Sequence, residues 1–367
     1  MPFIASVSRL EPEYTLNQDT TTEFARELFQ EDYQDIERLL TVFQNGQIDQ
    51  RQFAVPIEWF QKEHSLKERN DLYIELATQY SVKAIEKCLN QPFFLKRTIE
   101  YKRIDAIVCV TSSGMSTPSL DARIMNHLPF SPHTKRIPLW GLGCAGGTAG
   151  VSRAYEYCRA FPDQNVLVVC VELCSLTFQR KDRSKSNLVG TSLFADGIAC
   201  ALICGDDSSV GSDLNQKRSP FVVSTESTLM PHSEDVMGWA VKDSGLHVVF
   251  SRSIPAIIRQ WLQPTVVSFL DKVGLKIGNI SEFIAHPGGK KVLDAYMESL
   301  HINEALLTES KDVLRKHGNM SSPTVLYVLE KIMMKDHQEG EYGLMASLGP
   351  GFCSEMVLMQ WGGMKEG

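Results

Sequence analysis

The sequence lacks any apolar run long enough to cross a bilayer. Its longest, Val166 to Leu176, is interrupted by Glu172, and a span needs about 20 residues. No cationic segment precedes the short apolar start Met1-Pro2-Phe3-Ile4-Ala5-Ser6-Val7, so it does not read as a secretory signal. Positive charge is not in excess. Lys and Arg number 37 against 44 Asp and Glu, the net charge is −7, and no basic stripe with interleaved aromatics occurs, which argues against a nucleic-acid binder. The nine cysteines are odd in number and spread through apolar segments, as suits a reducing cytoplasm. Two pairs, Cys170/Cys174 and Cys200/Cys204, lack the His or further Cys of a zinc site, so no metal is expected. No low-complexity linker divides the chain. What remains is 367 residues with 43% hydrophobic and 22% charged content. That is a globular chain of enzyme size, either one large two-part domain or two ordinary ones.

The most informative stretch is Trp140-Gly141-Leu142-Gly143-Cys144-Ala145-Gly146-Gly147-Thr148-Ala149-Gly150, running into Val151-Ser152-Arg153-Ala154-Tyr155-Glu156-Tyr157. An extended approach ends in glycines and the second half reads as a buried helix, so Cys144 falls at or just before a helix N-terminus. The free N–H groups and dipole there favour a thiolate, and small neighbours leave room for a ligand to reach the sulfur. A free cysteine among small residues is ordinarily packing. Here the turn, the helix start and the small neighbours coincide, and Cys144 is the candidate nucleophile.

Helical periodicity extends from Thr21 to Phe43 and again from Glu68 to Leu89. Ala106 to Val110, Val166 to Glu172 and Ala199 to Cys204 read as strands buried on both faces. The first ends in Thr111-Ser112-Ser113-Gly114, at a strand's C-terminal end, where α/β sheets place ligands. The order then repeats. Glu282 to Ala285 is a short strand ending in His286-Pro287-Gly288-Gly289. Gly318-Asn319-Met320-Ser321-Ser322-Pro323 opens a helix through Glu330, with serines suited to capping and a proline to the first turn. Tyr342 to Ala346 is another strand. One offset of 175 maps Thr111 on His286 (286 − 111), Cys144 on Asn319 (319 − 144) and Val171 on Ala346 (346 − 171). A duplicated strand–helix unit follows, its two central helices packed together and its loop ends meeting at one site.

Such a duplication brings Cys144, His286 and Asn319 together. A cysteine nucleophile needs a base or cation, which His286 supplies. Asn319 is read equally well as a helix N-cap or as an oxyanion donor. Cys, His and Asn together point to acyl transfer.

The segments Gly141 to Thr148, Ala285 to Gly289 and Gly318 to Ser322 resemble, in order and spacing, the three catalytic signatures of the type III polyketide synthases, the chalcone synthase superfamily. Phe194 in Ser192-Leu193-Phe194-Ala195-Asp196-Gly197 is similar to the family's gatekeeper phenylalanine, and Ser347 to Phe352 resembles its Gly-Pro-Gly loop. The resemblance implies an α/β thiolase fold, an αβαβα sandwich of two duplicated halves. Residues 1–225 would carry the nucleophilic cysteine, and residues 226–367 the histidine and asparagine. It implies a homodimer in which Met115-Ser116-Thr117-Pro118 crosses into the partner's cavity, with Thr117-Pro118 in cis. It further implies that Cys144 takes an acyl group from CoA, with His286 stabilising the thiolate. His286 and Asn319 would then bind the thioester carbonyl of malonyl-CoA as decarboxylation yields an enolate. Phe194, Cys174, Thr177, Val248, Gly288, Gly289, Ser321 and Thr117 are the implied substrate-lining residues. No metal or redox cofactor is implied, because loss of CO2 drives the condensation.

The departures bear on substrate. Val248 stands where plant members have a second gate phenylalanine, and a small residue there widens the tunnel. Cys174 replaces a plant threonine, and as a buried cysteine it also has a plain packing role. The basic residues that grip CoA in plant members do not align clearly, and Arg51 or neighbouring Lys and Arg are the candidates. Trp140 to Cys144, Glu172 to Gln179 and Ser233 to Trp239 resemble bacterial members of the Bacillus type. Those make alkylpyrones, so the implied product is an alkylpyrone or alkylresorcinol from a fatty acyl-CoA starter after two or three extensions. The rival reading is a β-ketoacyl-ACP synthase III-like initiating enzyme, which shares Cys, His and Asn but condenses once. A non-catalytic acyl-CoA binder is a third.

Overall fold

The computed structural model describes residues 1–215, 217–251 and 253–363. The first half begins with β1 (Phe3–Leu10). The short pair β2 (Tyr14–Asn17) and β3 (Gln50–Phe53) brackets α1 (Gln18–Phe29) and α2 (Ile36–Asn45). Then come α3 (Leu66–Leu89), β4 (Ala106–Thr111), the short α4 (Leu120–Ile124), β5 (Lys135–Trp140), α5 (Gly146–Ala160), β6 (Asn165–Leu173), α6 (Lys185–Leu193) and β7 (Asp196–Cys204). The second half holds β8 (Ser219–Leu229), the hairpin β9 (Met237–Lys242) and β10 (Gly245–Phe250), and α7 (Ile254–Asp271). It continues with β11 (Ile280–Ala285), α8 (Lys290–Leu300), α9 (Thr308–His317), α10 (Pro323–Met333), β12 (Tyr342–Gly349) and β13 (Cys353–Gly362). Among the described residues no helix is long and apolar enough to cross a membrane.

Nine strands run in the order β11-β12-β13-β8-β1-β7-β6-β4-β5. Outward from the centre, β1-β7-β6-β4 and β8-β13-β12-β11 repeat one pattern. In each, two antiparallel steps are followed by a parallel one. Among the described residues the half-sheets meet where Phe3 stands opposite Phe221, with their rings 5.8 Å apart and the Val222 N–H donating to the Pro2 carbonyl at 2.8 Å. This is the duplication that the 175-residue offset predicts. The expected 225/226 division falls inside β8.

Helices α5 and α10 pack together, and each also touches strands of both half-sheets. Every described residue of α10 from Pro323 to Glu330 is buried, as in a helix enclosed between layers. Helix α3 covers β1, β6 and β7 on one outer face. On the other, α7 and α8 pack against each other and share a core with Phe283, Leu344 and Leu358. The result is the five-layer αβαβα sandwich of the thiolase fold. With both faces covered, β6 and β7 are buried at every position, which is why they read as unbroken apolar runs.

Three local expectations are corrected. The helix from Thr21 to Phe43 is two helices, α1 and α2. Asp32 (to Arg183, 3.0 Å) and the Tyr33 hydroxyl (to the Arg183 carbonyl) turn the chain aside between them. The periodicity survived because both helices face one small core of Phe29, Leu40, Phe43 and Leu188. Ser322 is the N-cap residue of α10 but makes no capping bond, because its hydroxyl donates to Glu172 Oε1 at 3.0 Å. Asn319, three residues earlier, is not the cap.

The central helices approach backbone to backbone. A Cβ on Gly147 would stand 2.2 Å from the Ser322 carbonyl oxygen and 2.7 Å from Val325 Cγ1. Glycine to alanine inside a helix ordinarily gains about 0.5–1 kcal/mol. Gly147→Ala is expected to reverse that sign and cost at least about 1–3 kcal/mol through overpacking, read from the midpoint of chemical unfolding.

Candidate active site

Cys144 is carried on a single 3₁₀ turn, Gly143–Ala145, between β5 and α5. Gly143 has φ +48°, and a side chain there would strike the Pro350 ring at 2.8 Å, so only glycine fits. Pro350 belongs to the turn joining β12 to β13, which lies over the Cys144 turn. His286 follows β11, and its main-chain N–H donates to the Ala346 carbonyl at 2.9 Å. Asn319 lies between α9 and α10, after Gly318 at φ +68° and before Ser321, which holds the left-handed φ of +59°.

The Asn319 amide is fixed at both ends. Its Oδ1 accepts from the Ser321 N–H at 2.8 Å, and its Nδ2 donates to the Gly288 carbonyl at 3.2 Å. Cys144 Sγ lies 3.8 Å from Oδ1 and 3.9 Å from Nδ2. Two main-chain bonds tie this segment to the first half: Ala195 N–H to the Asn319 carbonyl and Asn319 N–H to the Leu193 carbonyl, each 2.9 Å.

Cys144, His286 and Asn319 line one cavity of about 560 Å³, with Gly288, Gly289, Leu193, Phe250 and Tyr296. All three are buried, at 7%, 2% and 2% exposure. Among the described residues neither ring nitrogen of His286, nor the Tyr296 hydroxyl, has a hydrogen-bond partner. Unsatisfied polar atoms cost about 1–3 kcal/mol each, and three in one cavity suit a polar ligand there. The other end of the cavity is exposed and basic, with Arg38, Lys185, Lys290 and Lys291.

Burial sets the electrostatics. It pushes the Cys144 thiol up to about 11, against the smaller opposing effect of hydrogen bonds from Ser321 and Asn319. It pushes the His286 imidazole down to about 3. The helix-start argument for a free-standing thiolate therefore loses to desolvation. Either ion alone is disfavoured in this place, and the two charges are compatible with it only as a pair. Deeper in, Glu172 is fully buried and accepts from the Ser112 N–H (3.0 Å), the Ser113 hydroxyl (2.6 Å) and the Ser322 hydroxyl. Burial raises its carboxyl to about 7. Among the described residues no three His, Cys, Asp or Glu side chains gather to hold a metal ion.

Beyond Leu193 and Phe194 lies a smaller inner chamber of about 60 Å³, lined by Phe194, Cys174, Thr177, Val248, Trp239 and several phenylalanines. Asp196 fixes its Cys174–Thr177 turn by accepting from the Ser175 N–H (2.7 Å) and the Ala54 N–H (2.8 Å). One layer of side chains separates the two spaces: Leu193, Met237 and Phe250 face the first, and Phe194, Trp239 and Val248 the second.

Residues 43–208 match the family of chalcone and stilbene synthases in its N-terminal domain, and residues 221–361 match its C-terminal domain. A putative chalcone synthase of Bacillus subtilis is 51% identical over 364 residues, 98% of this chain and 99% of that one. The chain belongs to this family, the type III polyketide synthases. It is an acyltransferase that condenses malonyl-CoA. The alpha-pyrone synthesis polyketide synthase-like protein Pks18 of Mycobacterium tuberculosis is 31% identical, covering 95% of this chain and 88% of its own. The crystal structure of 1,3,6,8-tetrahydroxynaphthalene synthase from Streptomyces coelicolor superposes with a TM-score of 0.90 at 29% identity, over 98% of this chain and 99% of that one.

Of the residues singled out in the sequence of this polyketide synthase, Cys144, His286, Asn319, Gly288 and Gly289 share the larger cavity, and Ser321 abuts it through Asn319. Phe194, Cys174, Thr177 and Val248 lie in the inner chamber instead. Thr117 lines neither and is exposed, on a loop with the expected cis Thr117-Pro118 bond. Arg51 is not at the basic mouth. It is 1% exposed and donates to the carbonyls of Thr191 (2.6 Å) and Phe194 (3.0 Å) and to Gln18 Oε1. The rim cations escaped the sequence reading, although Lys290 and Lys291 carried a signal. Two lysines opening a helix oppose its dipole, which marks a place for an anion.

His286→Ala is expected to deprive Cys144, whose thiol burial already holds at about 11, of the imidazole that would take its proton. Its alkylation by iodoacetamide at about pH 7 should fall at least about 100-fold, and its rate profile should move to higher pH, measured by mass spectrometry of the modified protein.

Proposed function

We propose that this type III polyketide synthase takes a long-chain fatty acyl group from CoA, extends it two or three times with malonyl-CoA and closes the chain to an alkylpyrone. The inner chamber carries this reading. It is apolar, lies one side-chain layer from Cys144, and has Val248 where a larger residue would fill it. The name of the mycobacterial relative, with its alpha-pyrone synthesis, points the same way.

In the mechanism, Cys144 attacks the acyl thioester as its proton passes to the His286 imidazole, and the departing CoA sulfur takes that proton back. Malonyl-CoA then places its thioester carbonyl between His286 and Asn319 Nδ2, whose donors stabilise the enolate oxygen as CO2 leaves. The enolate carbon bonds to the acyl carbon, Cys144 leaves as thiolate, and the chain on CoA is two carbons longer. Reloading and further rounds follow, until an enol oxygen attacks the thioester carbonyl and expels CoA. The rim of Arg38, Lys185, Lys290 and Lys291 suits the phosphates of CoA. Gly288 and Gly289 leave room for the pantetheine arm.

We also read the chain as a cytoplasmic homodimer. Its nine cysteines are free and buried, as a reducing compartment favours. Among the described residues β5 pairs only with β4 and leaves its other edge open, beside the half-exposed Trp140. An open edge strand is a pairing surface, and a twin β5 would continue the sheet and bring the Thr117 loop to the partner. Sedimentation equilibrium should give twice the chain mass, and a monomer would refute this.

Product analysis by mass spectrometry, with malonyl-CoA and acyl-CoAs from aromatic to long-chain, is the deciding test. Pyrones from long chains, absent in Cys144→Ala, support the reading. A product from malonyl-CoA alone, or a single β-keto product, opposes it. Val248→Phe should lower kcat/KM for a dodecanoyl starter at least about tenfold, a loss of about 1.4 kcal/mol, and for a hexanoyl starter far less.

A further inference from the structure

The turn between β9 and β10 faces a third concavity, of about 700 Å³, whose lining includes Asp182, Ser244 and His247. All three lie outside the linings of the larger cavity and the inner chamber. The Ser244 hydroxyl lies 2.7 Å from His247 Nε2, and His247 Nδ1 lies 3.1 Å from Asp182 Oδ2. A carboxylate only accepts, so Nδ1 carries the ring proton and Nε2 is left to accept from the serine. Nucleophile, base and orienting carboxylate follow one another in the order that activates a serine for acyl transfer.

Each member is held in place. Asp182 Oδ1 accepts from the Ser184 N–H at 2.9 Å, and Asn187 Nδ2 donates to the carbonyls of Asp182 (2.7 Å) and Gln179 (3.0 Å). Burial alone would raise the Asp182 carboxyl, but hydrogen bonds from Ser184 and His247 outweigh it and hold the group below its usual range. Gln179 Nε2 donates to the Leu246 carbonyl at 3.0 Å and ties this loop to the hairpin. The side chains of Asp182 and His247 are largely covered, at 16% and 12% exposure, while Ser244 is exposed at the turn. Arg69 is buried and donates to the Ser244 main-chain carbonyl, and among the described residues its Nε has no acceptor. A fixed cation thus stands beside the serine, where an acyl oxygen gains negative charge during attack.

The cleft is basic, in a chain whose net charge is −7. Lys181 meets Glu63 at 2.9 Å and Arg183 meets Asp32 at 3.0 Å. Lys62, Arg180 and Lys242 also line it, with no carboxylate partner among the described residues. We propose that Ser244, His247 and Asp182 form a second acyl-transfer site, which hydrolyses acyl thioesters of CoA. The phosphates of CoA match the free cations, and the condensing reaction keeps such thioesters at hand. Ser244 Oγ bonds to the acyl carbon as its proton passes to His247 Nε2, and the departing CoA sulfur takes that proton. Water then attacks the acyl-serine and gives a proton to His247, which passes it to Ser244 Oγ as the carboxylic acid leaves. One water is consumed for each thioester, and nothing is oxidised or reduced.

The test begins with mass spectrometry of the full-length protein treated with diisopropyl fluorophosphate, which phosphorylates activated serines. An adduct on Ser244 is expected, and in His247→Gln it should form at least about 100-fold more slowly. Hydrolysis of hexanoyl-CoA is then followed as free CoA in Cys144→Ala, which cannot load an acyl group at the first site. Release should fall at least about 100-fold in Cys144→Ala/Ser244→Ala. Reversing two exposed lysines, in Lys62→Glu/Lys242→Glu, should raise KM for hexanoyl-CoA at least about threefold with a smaller change in kcat. The adduct on the unaltered protein needs no variant to fold. No adduct on Ser244, an adduct formed as fast without His247, or CoA release unaffected by Ser244→Ala would overturn the proposal. So would release that is already lost in Cys144→Ala. None of these readouts involves pyrone formation, so failure of the alkylpyrone reading would appear in the product profile alone.

Discussion

The contact between α5 and α10 at Gly147 and Ser322 governs most of what surrounds it. With no side chain between the backbones, the N-terminal ends of two buried helices are drawn together, and each carries one member of the site just ahead of its first turn. Cys144 and Asn319 come within 4 Å because their helices do. The same closeness buries the Ser322 hydroxyl, which turns to Glu172. That carboxylate then ties the end of β4 to α10. Glycine in the middle of a helix is a local weakness, and here it is the condition for a two-helix junction that a side chain would pry open.

The site is buried, and burial shapes its chemistry. A lone thiolate at Cys144 and a lone imidazolium at His286 are each disfavoured by burial. The Asn319 amide, locked between the Ser321 N–H and the Gly288 carbonyl, cannot swing to follow a substrate. Donors that need no reorganisation when charge develops stabilise it most effectively.

Much of this arrangement was legible in the sequence because it follows from short-range rules. Buried strands appear as continuous apolar runs, the glycines around Cys144 mark a turn into a helix, and a single offset ties the two halves together. What was not legible depends on contacts far apart in the chain. The break between α1 and α2 was hidden because both helices serve one core. Ser322 looked like a cap, and only the buried Glu172, 150 positions away, explains its actual partner. Arg51 looked like a surface cation near a ligand, yet it is spent on carbonyls of the Thr191–Phe194 segment. Nor could spacing tell that Cys174, Thr177 and Val248 face a separate chamber from Cys144, since the division runs between successive cross-strand pairs of the β9–β10 hairpin, Met237 with Phe250 and Trp239 with Val248, which meet only in the fold.

The β9–β10 hairpin pairs only with itself and stays outside the nine-stranded sheet. Its residues nevertheless face both spaces: Met237 and Phe250 the larger cavity, Trp239 and Val248 the inner chamber. A strand inside the sheet cannot change its side chains freely, because each is pinned by neighbours on two sides. This ribbon has no ladder partner beyond its own two strands, although Trp239 and Phe250 lie against Phe194, so its sequence has more room to change while the thiolase core stays constant. Diversification within such a scaffold would then concentrate on fourteen consecutive positions, Met237 to Phe250, leaving Cys144, His286 and Asn319 untouched.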